Sequence, residues 1–549
     1  MSKLIKKISL FVISAILSMQ CIACGGGSTS VDNTKEDTTT LNITIIERGY
    51  GTAFLDSLER EFEKRNPGIE VEVTKTALAN VLTNSFDSGS QYNDCDLYFN
   101  VGVTSYGEYH KYYKFFNDSE SAFYCYDDIL DSTIPGESVT VREKLQAQVL
   151  ESTLVDVDGQ QKSFFLPWAS AIQGMAVNKT VLESIYGANV GSVKMNTTDE
   201  FYNLCVDIRD KGYTALIYPG QLNYWNSLYN VWWAQYEGTE AHKMFQYAKG
   251  YDEISGEYIY TSNIFKQQGR LESLKVMEKL LYQGSNLHKD NVNDYNKNNF
   301  TTLQTQYLYG SQAGANDAKY VFNPNGDWLM QESAINSQCD SIDMIKVPII
   351  SSITDKLAVI KTDEHLSLVV DYVDGTITKD ALLSNQAFAA FDSTKLESDI
   401  AIVREARSLV YSQGYSHLMY SPYYTNAKEL VKKFILFMMS NDGLKIYAES
   451  GNGGFIPANI QLDESKLAPF AKSIYSFVNN GTFIDDCKKT ILFAGNYIQD
   501  GKVNSGNYEA LLGAKTSSAY YKTAQQIFEG EWYTDDQFNL ALQNSGLLK

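Results

Sequence analysis

Short strands and amphipathic helices alternate along the chain from residue 41 onward, and this order limits the folds open to it. Residues 41–47 (LNITIIE) alternate apolar and polar side chains, which is typical of a half-buried strand. The same periodicity analysis predicts a helix at 52–66, a strand at 69–73, a helix at 78–86 and a strand at 96–103. A β-α-β-α-β order predicts parallel pairing, right-handed crossovers and helices on both faces of a sheet. Ligands bind such sheets beyond the carboxyl ends of the strands, so residues 47–50 and 100–102 are candidate site loops.

The later part of the chain continues the mixed pattern, without an internal repeat of 20–50 residues. Predicted elements are helices at 198–211, 270–282, 425–439 and 444–449 and a strand at 216–218. Asp442 and Gly443 are predicted to separate the last two helices. A length of 549 residues suits roughly two to four domains.

The N-terminus carries a predicted export signal and anchor. A basic start is followed by twelve mostly apolar residues, 8–19, too few to span a bilayer core of about 30 Å and typical of a signal peptide. Ala23, Cys24 and three glycines follow, and this segment resembles the lipobox of bacterial lipoproteins, with Cys24 as the lipidated residue. An ordinary secretory signal is the alternative. The polar segment 24–40 is then predicted to be a flexible tether.

The charge balance argues against a nucleic-acid-binding protein, and the cysteine spacing argues against a disulfide framework. The chain has 66 acidic and 46 basic residues, a net charge of −20, which argues against a nucleic-acid partner because such a partner needs a basic face. The cysteines after the lipobox are odd in number and widely spaced, with no CxxC pair, so we expect free and mostly buried thiols. They are Cys95, Cys125, Cys205, Cys339 and Cys487. The stretch 291–299 lacks the spacing of a calcium loop.

The sequence contains no motif that demands catalysis. Neither a Walker A loop, nor a GxGxxG turn after a strand, nor a GxSxG elbow occurs, and no two histidines lie within four residues of each other. We therefore expect no cofactor and no metal. Acidic pairs such as Asp127-Asp128 and Asp485-Asp486 are the only hint of a glycosidase, whose two carboxylates are defined by a spatial gap. Aromatic residues make up 13% of the chain, a surplus that suits flat amphipathic ligands.

Several segments, taken in order, resemble one family. The segments are the lipobox at Cys24, TIIERGYGTAFLDSLEREFEKRNPGIEVEV at 44–73, YNDCDLYF at 92–99, LPWASAIQGMAVNKTVL at 166–182, NPNGDWLMQES at 323–333 and SPYYTNAKELVKKFILFMMSNDGLKIYAESGNGGFIPA at 421–458. Their order and spacing are similar to those of the extracellular solute-binding proteins, family 1, of bacterial carbohydrate ABC importers, a group that includes maltose-binding protein. The stretch 350–416 is longer than the family's core and is predicted to be an insertion.

The resemblance implies an α/β fold of the periplasmic-binding-protein type II, with two lobes joined by a hinge and a ligand cleft between them. It places the first lobe at 41–172 and 417–480 and the second lobe at 177–416 and 481–549. The implied crossings lie near 171–177, near 417–421 and after about 455–480. Closure of such a hinge around a ligand is a known mode of domain motion.

The candidate ligand-binding residues combine this resemblance with the chemistry of sugars. Sugars present apolar C–H faces to aromatic rings and hydroxyls to planar polar groups. The candidates are Trp328, Asp327, Trp225, Trp168, Arg48, Glu47, Tyr50, Tyr424 and Asn452. Trp225 is a candidate from the second lobe. The others have structural alternatives: Trp328 as a core residue, Trp168 as packing under the hinge, Asp327 as a turn residue, Glu47, Arg48 and Tyr50 as an exposed loop, Tyr424 as part of a helix entry, and Asn452 as part of a helix-ending turn.

The function implied is a non-catalytic, lipid-anchored receptor on the extracytoplasmic face of the cell membrane. It would capture a carbohydrate, an oligosaccharide in our expectation, and deliver it to the membrane permease of an ABC importer, acting as a monomer. Two alternatives stay open. One is a cell-surface glycoside hydrolase, and the other is a sensing lipoprotein that signals to a membrane kinase.

Overall fold

The strands begin in the predicted order and assemble into two main sheets. A computed structural model of the chain describes residues 39–47, 49–77, 93–102, 107, 109–110, 113–117, 120–218, 222–282, 285–287, 300–309, 320–332, 341–450, 453–498, 511 and 521–548. In chain order the strands are β1 Thr40–Ile46, β2 Glu70–Thr76, β3 Leu97–Val101, β4 Tyr113–Asn117, β5 Glu120–Ser121, β6 Val155–Val157, β7 Gln160–Lys162, β8 Leu166–Pro167, β9 Ile172–Asn178, β10 Thr214–Leu216, β11 Lys249–Asp252, β12 Glu257–Tyr260, β13 Tyr320–Gly326, β14 Ile342–Ile345, β15 Leu409–Ser412, β16 His417–Tyr420 and β17 Thr482–Ile484.

Several predictions fall outside the described residues. They are the signal peptide at 1–23, nearly all of the tether at 24–40 with Cys24, the helix at 78–86, the stretch 291–299, Cys339, and the candidate site residues Arg48 and Asn452.

Helices cover most of the rest of the described chain. They are α1 Ala53–Arg65, α2 Asp127–Leu130, α3 Val141–Lys144, α4 Ala147–Thr153, α5 Lys179–Tyr186, α6 Thr198–Asp210, α7 Asn226–Glu237, α8 Thr239–Phe245, α9 Gln268–Leu281, α10 Phe300–Tyr309, α11 Leu329–Glu332, α12 Asp363–Val373, α13 Lys379–Ser384, α14 Gln386–Ala389, α15 Ser393–Ser408, α16 Lys428–Met438, α17 Asn441–Ser450, α18 Pro469–Asn480, α19 Ile491–Ala494, α20 Ala524–Glu529 and α21 Asp535–Asn544. None of those described combines the length and the apolar character that a membrane span needs.

The first sheet has the strand order β2-β1-β3-β16-β8. β1 pairs in parallel with both β2 and β3, as the β-α-β-α-β order predicts. β16, which comes far later in the chain, closes the other edge of β3 in antiparallel fashion and places His417 opposite Val101. The apolar side chains of β1 and of α1 form one core with α16 and α17, and we call this part of the molecule the first lobe.

The second sheet has the strand order β10-β13-β9-β15-β17. Its central strand β9 is buried along its whole length, which explains its nearly continuous apolar sequence. One edge of β9 pairs with β13, and the other is shared by β14 and β15. Helices cover both faces, with α7 and α9 in the larger core and α10 and α18 in the smaller one, and we call this part the second lobe.

Three crossing segments connect the two lobes and are hydrogen-bonded to one another. The chain passes from β8 to β9, returns from β15 to β16, and leaves the first lobe again after α17. The Gln413 backbone N–H donates to the Ala171 carbonyl at 3.0 Å, and the Ser170 N–H donates to the Phe455 carbonyl at 2.6 Å. Ala171 has a φ of +47°, a left-handed conformation that is strained for a residue with a Cβ.

The structure differs from the predicted boundaries in four places. The first crossing precedes the predicted 171–177, because residues 172–178 pair inside the second sheet. The strand predicted at 216–218 lies at β10, two residues earlier. The range 350–416 contains α12–α15 and also β15, an integral strand of the second sheet. Helix α18, predicted as part of the first lobe, packs on the second sheet through a core that includes Met344 and Val410.

The predicted break at Asp442-Gly443 is wrong, because α17 begins at Asn441 and contains both residues. A Cβ on Gly443 would lie 2.3 Å from the Phe437 carbonyl oxygen at the end of α16. The glycine therefore allows two successive helices to approach closely, and it does not end one of them.

Candidate functional site

Five residues from four segments gather where the two lobes meet. They are Tyr50 after β1, Trp168 after β8, His417 at the start of β16, and Asp327 and Trp328 after β13, and we call them the interlobe cluster. The carboxyl ends of β1 and β13 thus supply three of its members, as the rule for such sheets predicts. Four of the five were predicted from the sequence as site residues, and His417 was not.

Trp168 is the structural base of this cluster. Its indole N–H donates to the Asn100 carbonyl at 3.0 Å, and its ring stacks on Phe54 with a centroid distance of 5.4 Å. The side chain is only 1% exposed and belongs to the core of the first lobe. Its edge-on contact with Tyr50, with ring centroids 5.5 Å apart, holds the loop after β1 in place.

Tyr50 and Asp327 join the two lobes through one hydrogen bond. The Tyr50 hydroxyl donates to Asp327 Oδ1, and both side chains are buried. Burial, with the neighbouring Asp327 carboxyl, raises the pKa of the Tyr50 hydroxyl well above its usual range, so the hydroxyl keeps its proton. The loss of hydration on burial also raises the pKa of Asp327, to about 7.

Asp327 is bound to the first crossing segment as well. Its Oδ2 accepts the Ile172 backbone N–H at 3.2 Å, and its own N–H donates to the Ile172 carbonyl at 2.9 Å. A Cβ on Gly453 would lie 2.7 Å from the Asp327 carbonyl oxygen, so the third crossing passes directly beside it. A side chain so enclosed holds other residues in place, whereas a direct ligand contact needs an exposed oxygen.

Trp328 differs from the other tryptophan candidates because part of its ring is exposed. A Cβ on Gly49 would lie 3.2 Å from Trp328 Cβ, and one on Gly326 would lie 2.5 Å from the indole ring. A side chain at position 326 would therefore clash with the indole, and one at position 49 would require Trp328 to shift by a few tenths of an ångström. The ring packs against the first-lobe core although its backbone follows a second-lobe strand.

A polar group missed by the sequence analysis lies beside Trp328. Gln304 on α10 donates to Glu332 Oε2 at 2.8 Å, and Tyr224 forms side-chain hydrogen bonds with both of them and with Trp328. Burial and the Glu332 carboxylate raise the pKa of Tyr224. Glu332 lies in the NPNGDWLMQES segment, one helical turn after Trp328, and this i,i+4 spacing was the signal available in the sequence.

The remaining predicted residues lie apart from this arrangement. Trp225 is fully buried in the core of the second lobe, where Tyr218 meets it edge-on at 5.5 Å. The Tyr424 hydroxyl accepts from the Asn93 amide at 2.7 Å within the first lobe. Glu47 is exposed, and its backbone N–H donates to Thr76 beside β2.

The acidic pairs do not form a facing pair of free carboxylates. Asp127 accepts the Ser163 N–H and pairs with Lys162, while Asp128 pairs with Lys432. Asp486 accepts the hydroxyls of Tyr411 and Tyr415, both at 2.6 Å. Burial raises the pKa of Asp485 to about 6.

The described residues contain no group of three or more metal-ligating side chains. The described cysteines are free thiols.

Comparisons with known proteins identify the fold. No protein-family model and no curated protein matches the chain. A solute-binding protein RafE in complex with raffinose is 15% identical, with a TM-score of 0.53 over 92% of this chain and 100% of that one. Maltose-bound MalE3 of T. maritima is 13% identical, with a TM-score of 0.52 over 93% of this chain and 100% of that one. A Streptococcus pneumoniae solute-binding protein in complex with the blood group A-trisaccharide is 15% identical, with a TM-score of 0.52 over 91% of this chain and 99% of that one. The chain therefore has the two-lobed α/β fold of the extracellular solute-binding proteins.

Proposed function

We propose that this protein captures a carbohydrate outside the cell and delivers it to the permease of an ABC importer. The observation that carries the proposal is the partly exposed Trp328 ring, which is held at the junction of the two lobes beside the polar side chains of Tyr224 and Glu332. Aromatic faces suit the C–H surfaces of sugars, and planar polar groups suit their hydroxyls.

An oligosaccharide is the favoured ligand class. Raffinose, maltose and the blood group A-trisaccharide are bound by the structurally similar proteins named above. Among the predicted residues, Trp328 is our first candidate for direct contact, and Arg48, Glu47, Tyr424 and Asn452 are further candidates. We assign Tyr50, Asp327, Trp168 and Trp225 supporting roles, because their side chains are buried.

The remaining features of the proposal concern architecture and location. We infer one lobe from 41–172 with 417–480 and another from 177–416 with 481–549, and we assign α18 to the second lobe because it packs on that lobe's sheet. A lipid on Cys24 holds a monomer at the extracytoplasmic face of the membrane, with the segment 24–40 as its tether.

A thermal-shift screen with monosaccharides and oligosaccharides tests the carbohydrate proposal. A ligand at 100 times its dissociation constant adds about 2.7 kcal/mol of stability, which is a measurable rise in melting temperature. Chromatography of each stabilising sugar after long incubation with the protein separates a receptor from the glycosidase alternative, since only an enzyme yields shorter products. A screen in which no sugar raises the melting temperature would count against carbohydrate as the ligand.

A further inference from the structure

The bond between Tyr50 and Asp327 is the side-chain hydrogen bond that joins the two lobes inside the interlobe cluster. Tyr50 is fixed in the first lobe by its edge-on contacts with Trp168 at 5.5 Å and with His417 at 5.4 Å. Asp327 is fixed in the second lobe by its two bonds to Ile172. The bond therefore ties the first lobe to the second beside the crossing segments.

We propose that the Tyr50 hydroxyl and the Asp327 carboxyl form a latch that holds the lobes closed, and that a proton on Asp327 favours this closed form. The latch positions Trp328, the next residue, against Gly49 of the first lobe. The role of the latch in ligand capture rests on the proposed function. The latch itself acts in the protein without ligand.

The coupling to protons follows from the burial of a carboxyl that forms no ion pair with any residue the structure describes. Among the described residues, no lysine or arginine forms an ion pair with Asp327, and its hydrogen bonds come from a tyrosine and a backbone N–H. An ionised Asp327 in the closed molecule therefore loses hydration without an opposite charge to replace it. A protonated Asp327 avoids that cost.

The described titratable groups around Asp327 do not change protonation state near neutral pH, so Asp327 is the group that titrates there. Tyr50 on the loop after β1 and Tyr447 on α17 both have their pKa raised by burial, so they stay protonated. His417 on β16 has its pKa lowered to about 4 by burial and stays neutral. The described residues of the first and third crossing segments approach Asp327 through backbone groups of Ile172 and Gly453.

The direction of the pH effect follows from linkage. The pKa of Asp327 is about 7 in the closed molecule, and a hydrated carboxyl in the open molecule has a value of about 3.9. Closing takes up a proton between these two values, so closure is favoured at low pH and this advantage is lost as the pH rises through about 7. The closed-to-open ratio should change by up to about tenfold for each pH unit in that window.

Small-angle X-ray scattering of the ligand-free protein near pH 5 and near pH 8 tests the proposal. We expect a smaller radius of gyration and a larger closed fraction at the lower pH. Asp327→Asn keeps an acceptor for Tyr50 but does not titrate, so its closed fraction should be the same at both pH values. Tyr50→Phe removes the bond and should lower the closed-to-open ratio about tenfold or more at either pH.

Tyr447→Phe is the matched control. Its hydroxyl is buried near Tyr50 and has no hydrogen-bond partner among the described residues. We expect this variant to scatter like the wild-type protein at both pH values, while circular dichroism and melting curves verify that every variant folds. A wild-type radius that is independent of pH and equal to that of Tyr50→Phe would overturn the latch, and so would an Asp327→Asn variant that keeps the wild-type response. A failed sugar screen would leave this result unaffected, because no sugar is added.

Discussion

The Trp328 indole and the His417 imidazole lie nearly parallel across the boundary between the lobes, with centroids 6.4 Å apart and 20° between their planes. His417 is neutral near pH 7, because burial lowers its pKa to about 4. The indole is thus supported by an uncharged ring on one side and by the glycine backbone at Gly49 and Gly326. Such a surface favours the apolar face of a neutral sugar ring over a charged ligand.

Replacing Trp328 by alanine should weaken carbohydrate binding by roughly thirty-fold or more. An aromatic anchor commonly contributes about 2–4 kcal/mol to an interface, and the ring is already fixed before binding. Isothermal titration calorimetry with a sugar from the thermal-shift screen measures the loss. The melting temperature without ligand should change little because the ring is only half-buried, and a large drop in stability with unchanged affinity would remove Trp328 from the site.

Trp225→Ala should lower the stability of the protein and leave its sugar affinity unchanged, the opposite of Trp328→Ala. This side chain is fully buried in the second-lobe core, so its truncation leaves a cavity and should cost about 3–5 kcal/mol in unfolding free energy. Denaturant melts of the two alanine variants should therefore separate them clearly. We expect folded Trp225→Ala protein to retain its sugar affinity, and a variant with normal stability but no binding would show that Trp225 contacts the ligand.

Removing one partner of the buried ion pair between Arg270 and Glu531 should strongly lower the free energy of unfolding. The two groups are 2.9 Å apart, each side chain is 1% exposed, and the guanidinium lies 4.9 Å from the centroid of the Phe245 ring. Glu531→Gln leaves a buried positive charge without its partner and should destabilise the protein by about 3–5 kcal/mol.

The exposed pair of Lys211 and Asp207 on α6 is the matched comparison. Asp207→Asn should change the unfolding free energy by less than about 1 kcal/mol, because solvent screens the pair. Equal losses of unfolding free energy for Glu531→Gln and Asp207→Asn in urea titrations would contradict the prediction that only the buried pair is sensitive to the loss of one partner.

Cys24→Ser should release the protein from the membrane fraction. The lipid predicted on this residue is the anchor in our proposal, and a serine cannot carry it by a thioether. Fractionation followed by immunoblotting measures the distribution, with Cys21→Ser as the matched control. Retention of Cys24→Ser in the membrane together with release of Cys21→Ser would identify Cys21 as the modified residue.

Local periodicity was sufficient to predict the elements whose partners lie nearby in sequence. The strand predicted at 41–47 is β1, and the helix predicted at 52–66 is α1, because one apolar face determines each of them. The same information did not separate Trp225 from Trp328, since only tertiary packing decides which ring is covered. The role of Asp327 was also hidden, because its partner Tyr50 lies 277 residues away.

The pairing of β3 with β16 has a consequence for how the chain is made. The first sheet needs residues 417–420, which lie more than 300 positions after β3 and beyond most of the second lobe. Contacts of such high sequence separation form late and slowly, because a long loop must close before they are gained. The N-terminal third of the chain therefore cannot complete its sheet while the remainder is still being synthesised. If the chain is exported as we propose, this delay is useful, since a chain that folds late remains unfolded long enough to be threaded across a membrane.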